Sequence, residues 1–379
     1  MFKVFIQYFF YELRSIKKSW YKLSLITIFP LVSMFLVIVI FYKGVATQLP
    51  MAVVDNDKSK LSRMLLTNIG TSPTIDLSHF VNSSKSAIEL VRSGVVYGVI
   101  IVPKNFSKDT LLRKEPKVTV MLNTQFILIG KILTAALTST IVHSSAEIEY
   151  VEGLVDLQNP HAALNSISPI KIQITPFFNM YKSYFYFLVS ALIPSILQIF
   201  IVITSIISLG KVFKYKKEKE VFRDSTNMTA KLLGMMLPYT IVFSLLGLIY
   251  LLYIYSMWSF QGSFIFLFFG MTLTVISYQI IGLLFFVTGF DYARALSLGA
   301  VYTAPAFAFL GVTFPVNNMN TFAIFWRDIL PISHYMELQI SQANYGVDIF
   351  MDINKIFAII VFWILFIPIV YMFKKRLSR

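Results

Sequence analysis

The chain has 379 residues, 56% of them hydrophobic and 14% charged, with no cysteine and a formal net charge of +14. Soluble domains run near a quarter charged, so this is the composition of a membrane protein. The missing thiols exclude disulfides, thiolate catalysis, and zinc or iron–sulfur centres built on sulfur.

Residues 1–22 carry Lys3, Arg14, Lys17, Lys18 and Lys22 against Glu12 alone. Between them Val4, Phe5, Tyr8, Phe9 and Leu13 recur at helical spacing, which predicts a helix lying in a membrane interface. The charge-free run 23–42 follows, with Trp20 and Tyr21 at interfacial depth, and is long enough for a first span. No small-residue cleavage site comes after it, so it reads as a retained anchor and not a cleaved signal.

Residues 43–182 alternate strand-like and helix-like pieces. Strands are predicted at 51–54, 75–80, 95–102, 117–122 and 170–175, and helices at 60–68, 86–93, 109–114 and 125–153. This alternation indicates an external α/β domain between the first two spans, with Val53, Val54, Val99, Ile101, Val118 and Val120 as its sheet core. Phe126–Val142 is apolar enough to suggest another crossing, but it holds Lys131, Thr134, Thr138 and Ser139. A span there would also move the basic segment 211–231 to the opposite face, so the stretch is assigned to the domain.

Residues 183–373 hold the remaining spans. The second is 183–210. No Asp, Glu, Lys or Arg occurs between Lys231 and Asp291, a length that suits two helices, 232–256 and 263–288, turning near Trp258, Gln261 and Gly262. A fifth span is expected at 295–314 and a sixth at 356–373. Between those two, Pro315, Pro331 and Gly346 break 315–355 into short helices near 320–330 and 334–344. The expected fold is therefore an α-helical integral membrane protein with six transmembrane helices plus the external α/β domain.

The charges set the orientation. Segment 211–231 holds Lys211, Lys214, Lys216, Lys217, Lys219, Arg223 and Lys231 against Glu218, Glu220 and Asp224, and the tail 374–379 holds Lys374, Lys375, Arg376 and Arg379. Six spans place both segments and residues 1–22 on one face, which the positive-inside rule makes cytoplasmic, with both termini inside. The excess charge is topological, and no nucleic-acid partner is expected.

Chemistry-bearing motifs are missing. The Gly130–Lys131 and Gly210–Lys211 pairs lack the upstream glycine and the following hydroxyl of an ATP-binding loop. His79, His143, His161 and His334 have no metal-ligand spacing, and no nucleophile elbow occurs. The spans contain no ionisable Asp, Glu, Lys or Arg, which argues against an ion-coupled carrier. Prolines at Pro30, Pro194, Pro238, Pro305 and Pro368 free helical carbonyls there.

The layout resembles the permease subunits of type 2 ATP-binding-cassette exporters, in the branch with a large external domain between spans one and two. Met51–Ser59 (Met-Ala-Val-Val-Asp-Asn-Asp-Lys-Ser), Gly94–Pro103, Pro176–Asn179 and the Leu330–Pro331 turn carry the likeness. Such permeases hold a Glu-Arg-Glu-x-Gly-Thr motif that docks onto the ATPase. Its counterpart here is Glu218-Lys219-Glu220-Val221-Phe222-Arg223, with Phe222 and Arg223 replacing the glycine and threonine. The resemblance implies an ATPase-coupling role for Glu218, Lys219, Glu220 and Arg223. It implies no cofactor in this chain, with ATP and Mg held by a separate nucleotide-binding ATPase subunit. It further implies a second permease, identical or related, a periplasmic adaptor, contact with membrane lipids and a bacterial inner-membrane location. The substrate class would be a drug, lipid or glycan-like molecule. The alternatives are a receptor or sensor with a ligand-binding external domain, which needs fewer spans, and the ion-coupled carrier.

The charge pattern yields a direct test in a chain free of natural thiols. In intact spheroplasts an impermeant thiol reagent labels a single cysteine placed at Lys108 and leaves one at Lys217 unlabelled; labelling at 217 overturns the orientation.

Overall fold

The computed structural model describes residues 1–112, 114, 116–125, 127–157, 183–215, 218–222 and 226–378. The chain begins with α1 (Phe2–Lys18) and α2 (Trp20–Phe41). A sheet region follows: β1 (Leu49–Asp55), α3 (Lys60–Gly70), β2 (Ile75–Phe80), α4 (Ser84–Arg92), β3 (Gly98–Val102), α5 (Phe106–Leu111), β4 (Thr119–Leu122) and α6 (Ile127–Leu157). The rest is helical: α7 (Phe185–Lys214), α8 (Glu218–Phe222), α9 (Met228–Met257), α10 (Phe264–Val287), α11 (Tyr292–Thr303), α12 (Ala306–Phe309), α13 (Thr321–Asp328), α14 (Pro331–Ile340) and α15 (Ile349–Leu377). Two compact units result, Val45–Thr175 and the combination of Met1–Gly44 with Pro176–Arg379.

In the α/β unit the strand order is β2-β1-β3-β4; β1 runs parallel to β2 and β3, and β4 is antiparallel to β3. The path from β1 to β2 and then back across to β3 reverses direction in the sheet. Crossovers of one hand then put α3 and α4 on opposite faces. Accordingly Leu65, Leu66 and Ile69 of α3 pack with Leu133 and Leu137 of α6 on Met51, Val53, Ile100 and Val102. Ala87 of α4 packs on Ala52, Val54 and Val99 across the sheet. Leu133 and Leu137 of α6 are thus spent on the α/β unit's own core.

The Asp-Asn-Asp-Lys-Ser turn after β1 is held by its own side chains. Asp55 Oδ1 accepts from the Asp57 and Lys58 amides at 3.0 and 2.9 Å, and its Oδ2 accepts from the Ser62 hydroxyl at 2.8 Å. Ser59 caps α3 through the Ser62 amide. Asp57 Oδ2 accepts from the Ser107 amide, tying the turn to α5.

Two sheet expectations need correction. β3 starts at Gly98, so Val95 lies before the strand. Ile101, Val118 and Val120 are half-buried, whereas the fully buried β3 positions are Val99, Ile100 and Val102. A central parallel strand is covered on both faces, so consecutive residues are buried and alternation fails as a guide. The strand expected at 170–175 lies outside the described residues.

In the helical unit, five helices among the described residues are long and apolar enough to cross a membrane: α2, α7, α9, α10 and α15. The stretch expected as an unbroken fifth span is instead α11 and α12, interrupted at Ala304–Pro305 and closed by a turn at Gly311 with φ +80°. Proline has no amide to continue the ladder and its ring crowds the preceding turn. Pro331 opens α14, at the first-turn position where a missing amide costs nothing. Close approach of α10 to α7 depends on Gly282, where a Cβ would sit 2.8 Å from Ser205 Cβ and 2.9 Å from the Val202 carbonyl oxygen.

The burial difference within β3 sets an expected outcome. Ile100→Asp places an unpaired charge between the sheet and α3, and destabilises the α/β unit by about 3 kcal/mol or more. Ile101→Asp costs clearly less. Protease resistance of the 45–175 unit within the full chain orders the two; equal losses contradict the assignment of faces.

Candidate coupling site

Where α7 ends and α9 begins, the chain makes the five-residue helix α8. The sequence-predicted residues divide there. Glu220 is exposed, Glu218 and Lys219 lie in α8, and Arg223 falls outside the described residues.

The charged residues are not what holds α8. Phe222 is fully buried. Its ring lies nearly parallel to that of Tyr8, with centroids 6.0 Å apart, and approaches Phe213 and Phe373 at 6.3 and 6.2 Å. Phe213 in turn meets Phe286 and Phe290, each at 5.2 Å. Rings from α1, α7, α8, α10 and α15 therefore share one apolar cluster. Aromatic pairs in these geometries contribute about 0.5–1.5 kcal/mol each beyond area burial.

Side chains from other helices supply donors to the last carbonyls of α8. The Tyr8 hydroxyl donates to the Val221 carbonyl at 2.7 Å, and the buried Lys231 ammonium donates to the Phe222 carbonyl at 2.7 Å. Lys231 also lies over the Tyr8 ring, 5.8 Å from its centre. One tyrosine of α1 and one lysine of α9 thus grip the same turn.

α1 is fixed against α9 in its own right. At Gly234 a Cβ would collide with the Phe5 carbonyl oxygen and lie 3.1 Å from Tyr8 Cβ, so only glycine allows this crossing. Further along, fully buried Glu12 accepts from the Lys22 ammonium and from the Tyr239 hydroxyl, each at 2.6 Å. Lys22 Nζ also donates to Ser15 Oγ at 2.9 Å. Glu12 ties α1 to both α2 and α9. The Tyr11 phenol, on a residue 40% exposed, is held above its ordinary value by partial burial of the hydroxyl, then by the Glu12 and Glu220 carboxylates. The Glu220 charge is therefore felt on α1.

Sequence reasoning took Phe222 as a departure from a motif and Glu12 as a lone acid among cations. The available signal was an apolar Val221-Phe222 pair inside a run of charges, which a solvated loop does not need.

Residues 21–371 match the family described as ABC-2 family transporter protein. The chain belongs to that family. No curated protein matches it. The ABC-2 family transporter protein is a multi-pass membrane permease of an ABC transporter, a subunit without its own ATPase that works with an ATP-binding partner.

In this permease the anchoring of α8 has a measurable consequence. Phe222→Ala empties the centre of the aromatic cluster, a change that costs about 3–5 kcal/mol in packed cores. Trypsin then cleaves the 216–223 stretch of the full chain at least about tenfold faster than in a Glu220→Gln control, since each 1.4 kcal/mol is tenfold in opened population. Equal rates would mean that Phe222 does not hold the segment.

Proposed function

We propose that this permease is the membrane half of an exporter that moves a lipophilic or amphiphilic substrate, drug, lipid or glycan-like, out of the cytoplasm or inner membrane. Two permeases, identical or related, pair with two ATPase subunits, and a periplasmic adaptor extends the path outside. The 1–22, 211–231 and 374–379 segments face the cytoplasm, and the α/β unit lies outside. The interrupted α11–α12 stretch supplies the remaining crossing, which brings the basic tail back to the side of the basic N-terminus. A broken helix is tolerated at membrane depth where neighbouring protein satisfies its backbone.

The observation that carries the coupling reading is the double grip on α8, with Glu220 left free on its surface. Glu218 and Glu220 meet basic or amide donors on the ATPase through charge-assisted hydrogen bonds, flanked by Lys219 and Arg223. Closure of the ATPases on ATP pushes α8. Phe222 and the two bonded carbonyls pass that displacement to α1, α7 and α9 together.

Docking and transmission separate experimentally. Glu218→Lys with Glu220→Lys turns attraction into repulsion and reduces copurifying ATPase at least about tenfold, while membrane insertion is retained because only cytoplasmic positive charge is added. Phe222→Ala keeps the ATPase bound and lowers transport-linked ATP hydrolysis. A reversed-charge complex that copurifies and exports normally removes α8 from the coupling route.

A further inference from the structure

At the end of α7, beside α2 and α11, cations collect without carboxylates to answer them. Lys211 and Lys214 stand three residues apart in the last turn of α7 and so share one side of it. The Lys211 ammonium lies over the Tyr21 ring of α2, 4.9 Å from its centre, and the Lys214 ammonium over the Tyr292 ring of α11 at 5.7 Å. Gly210 allows the second placement, because a Cβ there would collide with the Tyr292 ring. The Tyr21 and Tyr292 phenols come together, with Tyr215 beside them, so the two ammoniums sit on adjoining rings.

The charge at this spot does not balance. The charged groups acting on Lys211 are Lys22, Glu12 and Lys214. Glu12 is fully buried and already accepts from Lys22 and Tyr239. The carboxyl end of α7 adds only about half a negative charge, so more than one positive charge is left over among Lys22, Lys211 and Lys214. Other covered lysines have an acceptor: Lys22 has Glu12, Lys231 has the Phe222 carbonyl and Lys355 has Asp352. Lys211 is partly buried, and neither it nor Lys214 pairs with a carboxylate among the described residues.

Depth and exposure point to what supplies the missing anion. Trp20 and Tyr21, 71% and 48% exposed, mark the level of lipid headgroups at the start of α2. Farther along the two flanking helices, Ile28 and Val32 of α2 and Leu298 and Val301 of α11 are apolar and exposed, as a surface for acyl chains requires. Lys214 and Tyr215 are exposed too, so the cations can be reached. A phosphodiester accepts charge-assisted hydrogen bonds from ammonium groups, and a headgroup of net negative charge supplies what the cluster lacks. Phosphocholine carries its own cation and does not. We propose that Lys211 and Lys214 bind the phosphate of an anionic phospholipid, whose acyl chains lie along α2 and α11. The site lies within one permease chain and assumes neither a cargo nor a direction of transport.

The test reads lipid binding, so it fails or succeeds separately from ATPase coupling. Purified full-length permease in phosphatidylcholine nanodiscs is photolabelled with a trace of phosphatidylglycerol bearing a diazirine next to one acyl ester. Phosphatidylcholine with the same chain is the parallel probe. The phosphatidylglycerol probe labels peptides containing Tyr21, Lys214 or Tyr292 about tenfold more than the phosphatidylcholine probe does. Lys211→Gln with Lys214→Gln abolishes that preference, and Lys211→Arg with Lys214→Arg keeps it, which separates loss of charge from loss of fold. Lys17→Gln with Lys18→Gln removes the same charge from the exposed end of α1 and leaves the preference intact. Equal labelling by the two probes, or an equal loss in the Lys17 and Lys18 variant, reduces the cluster to diffuse surface charge and overturns the assignment. Displacement of the probe by inorganic phosphate, at an ionic strength matched with chloride, assigns the lysines to a free anion and overturns it as well. So does a Lys211→Gln, Lys214→Gln variant that labels normally but no longer copurifies with the ATPase, since the lysines then face that protein.

Discussion

A backbone carbonyl that loses its helical amide in an apolar surrounding must find another donor or cost several kcal/mol. The helical unit meets this condition at both ends, and each time the donor is a long side chain from a different helix. At one end Tyr8 and Lys231 serve Val221 and Phe222; at the other Tyr250 and Gln339 serve Ser190. Each repair links elements that sequence order keeps far apart. The irregularities are therefore where the helices become coupled, and regular stretches between them pack through apolar contact and small residues such as Gly282.

The distribution of charge follows the same logic. The central parts of the long helices are neutral, and buried ions gather near the ends in pairs. Glu12 with Lys22 occupies one end; at the other, Asp352 is paired with Lys355 and accepts from Ser341 and Gln342. A buried pair of this kind adds little net stability, because desolvation offsets most of the attraction, yet losing one partner strands the other. Its effect is specificity of arrangement. Glu12 Oε1 accepts from both Lys22 and Tyr239, so one register of α1 against α2 and α9 brings the three groups together.

Much of this was legible from residues because bilayer crossing and sheet formation each leave a periodic mark. Long charge-free runs identified α2, α7, α9, α10 and α15, and β2 occupies the residues that alternation and turn signals indicated. The misplaced details have identifiable causes. Ile101 was named as core and Ile100 was not, because a continuous apolar run gives no sign of which residue is the more deeply covered in a strand packed on both faces. The fifth span was read as continuous because hydropathy does not register a single proline, although Pro305 breaks the helix. Phe222 was read only as a departure from a motif because its partners, Tyr8, Phe213 and Phe373, come from three distant segments, and only folding brings those rings together.

That last case bears on how motion could pass through the molecule. A charged surface helix attached only by its flanking chain would tilt or unwind when pushed, since a five-residue helix has little stability of its own. α8 is not free in this way. Its aromatic residue is embedded in rings from α1, α7 and α15, and dense packing of that kind moves as a body or rearranges between discrete states. Phe222 therefore makes the attachment of α8 a packed joint. The proposed stroke of the ATPase would then reach the long helices through side-chain contact and two hydrogen bonds, with the covalent connection to α7 as only one of its routes.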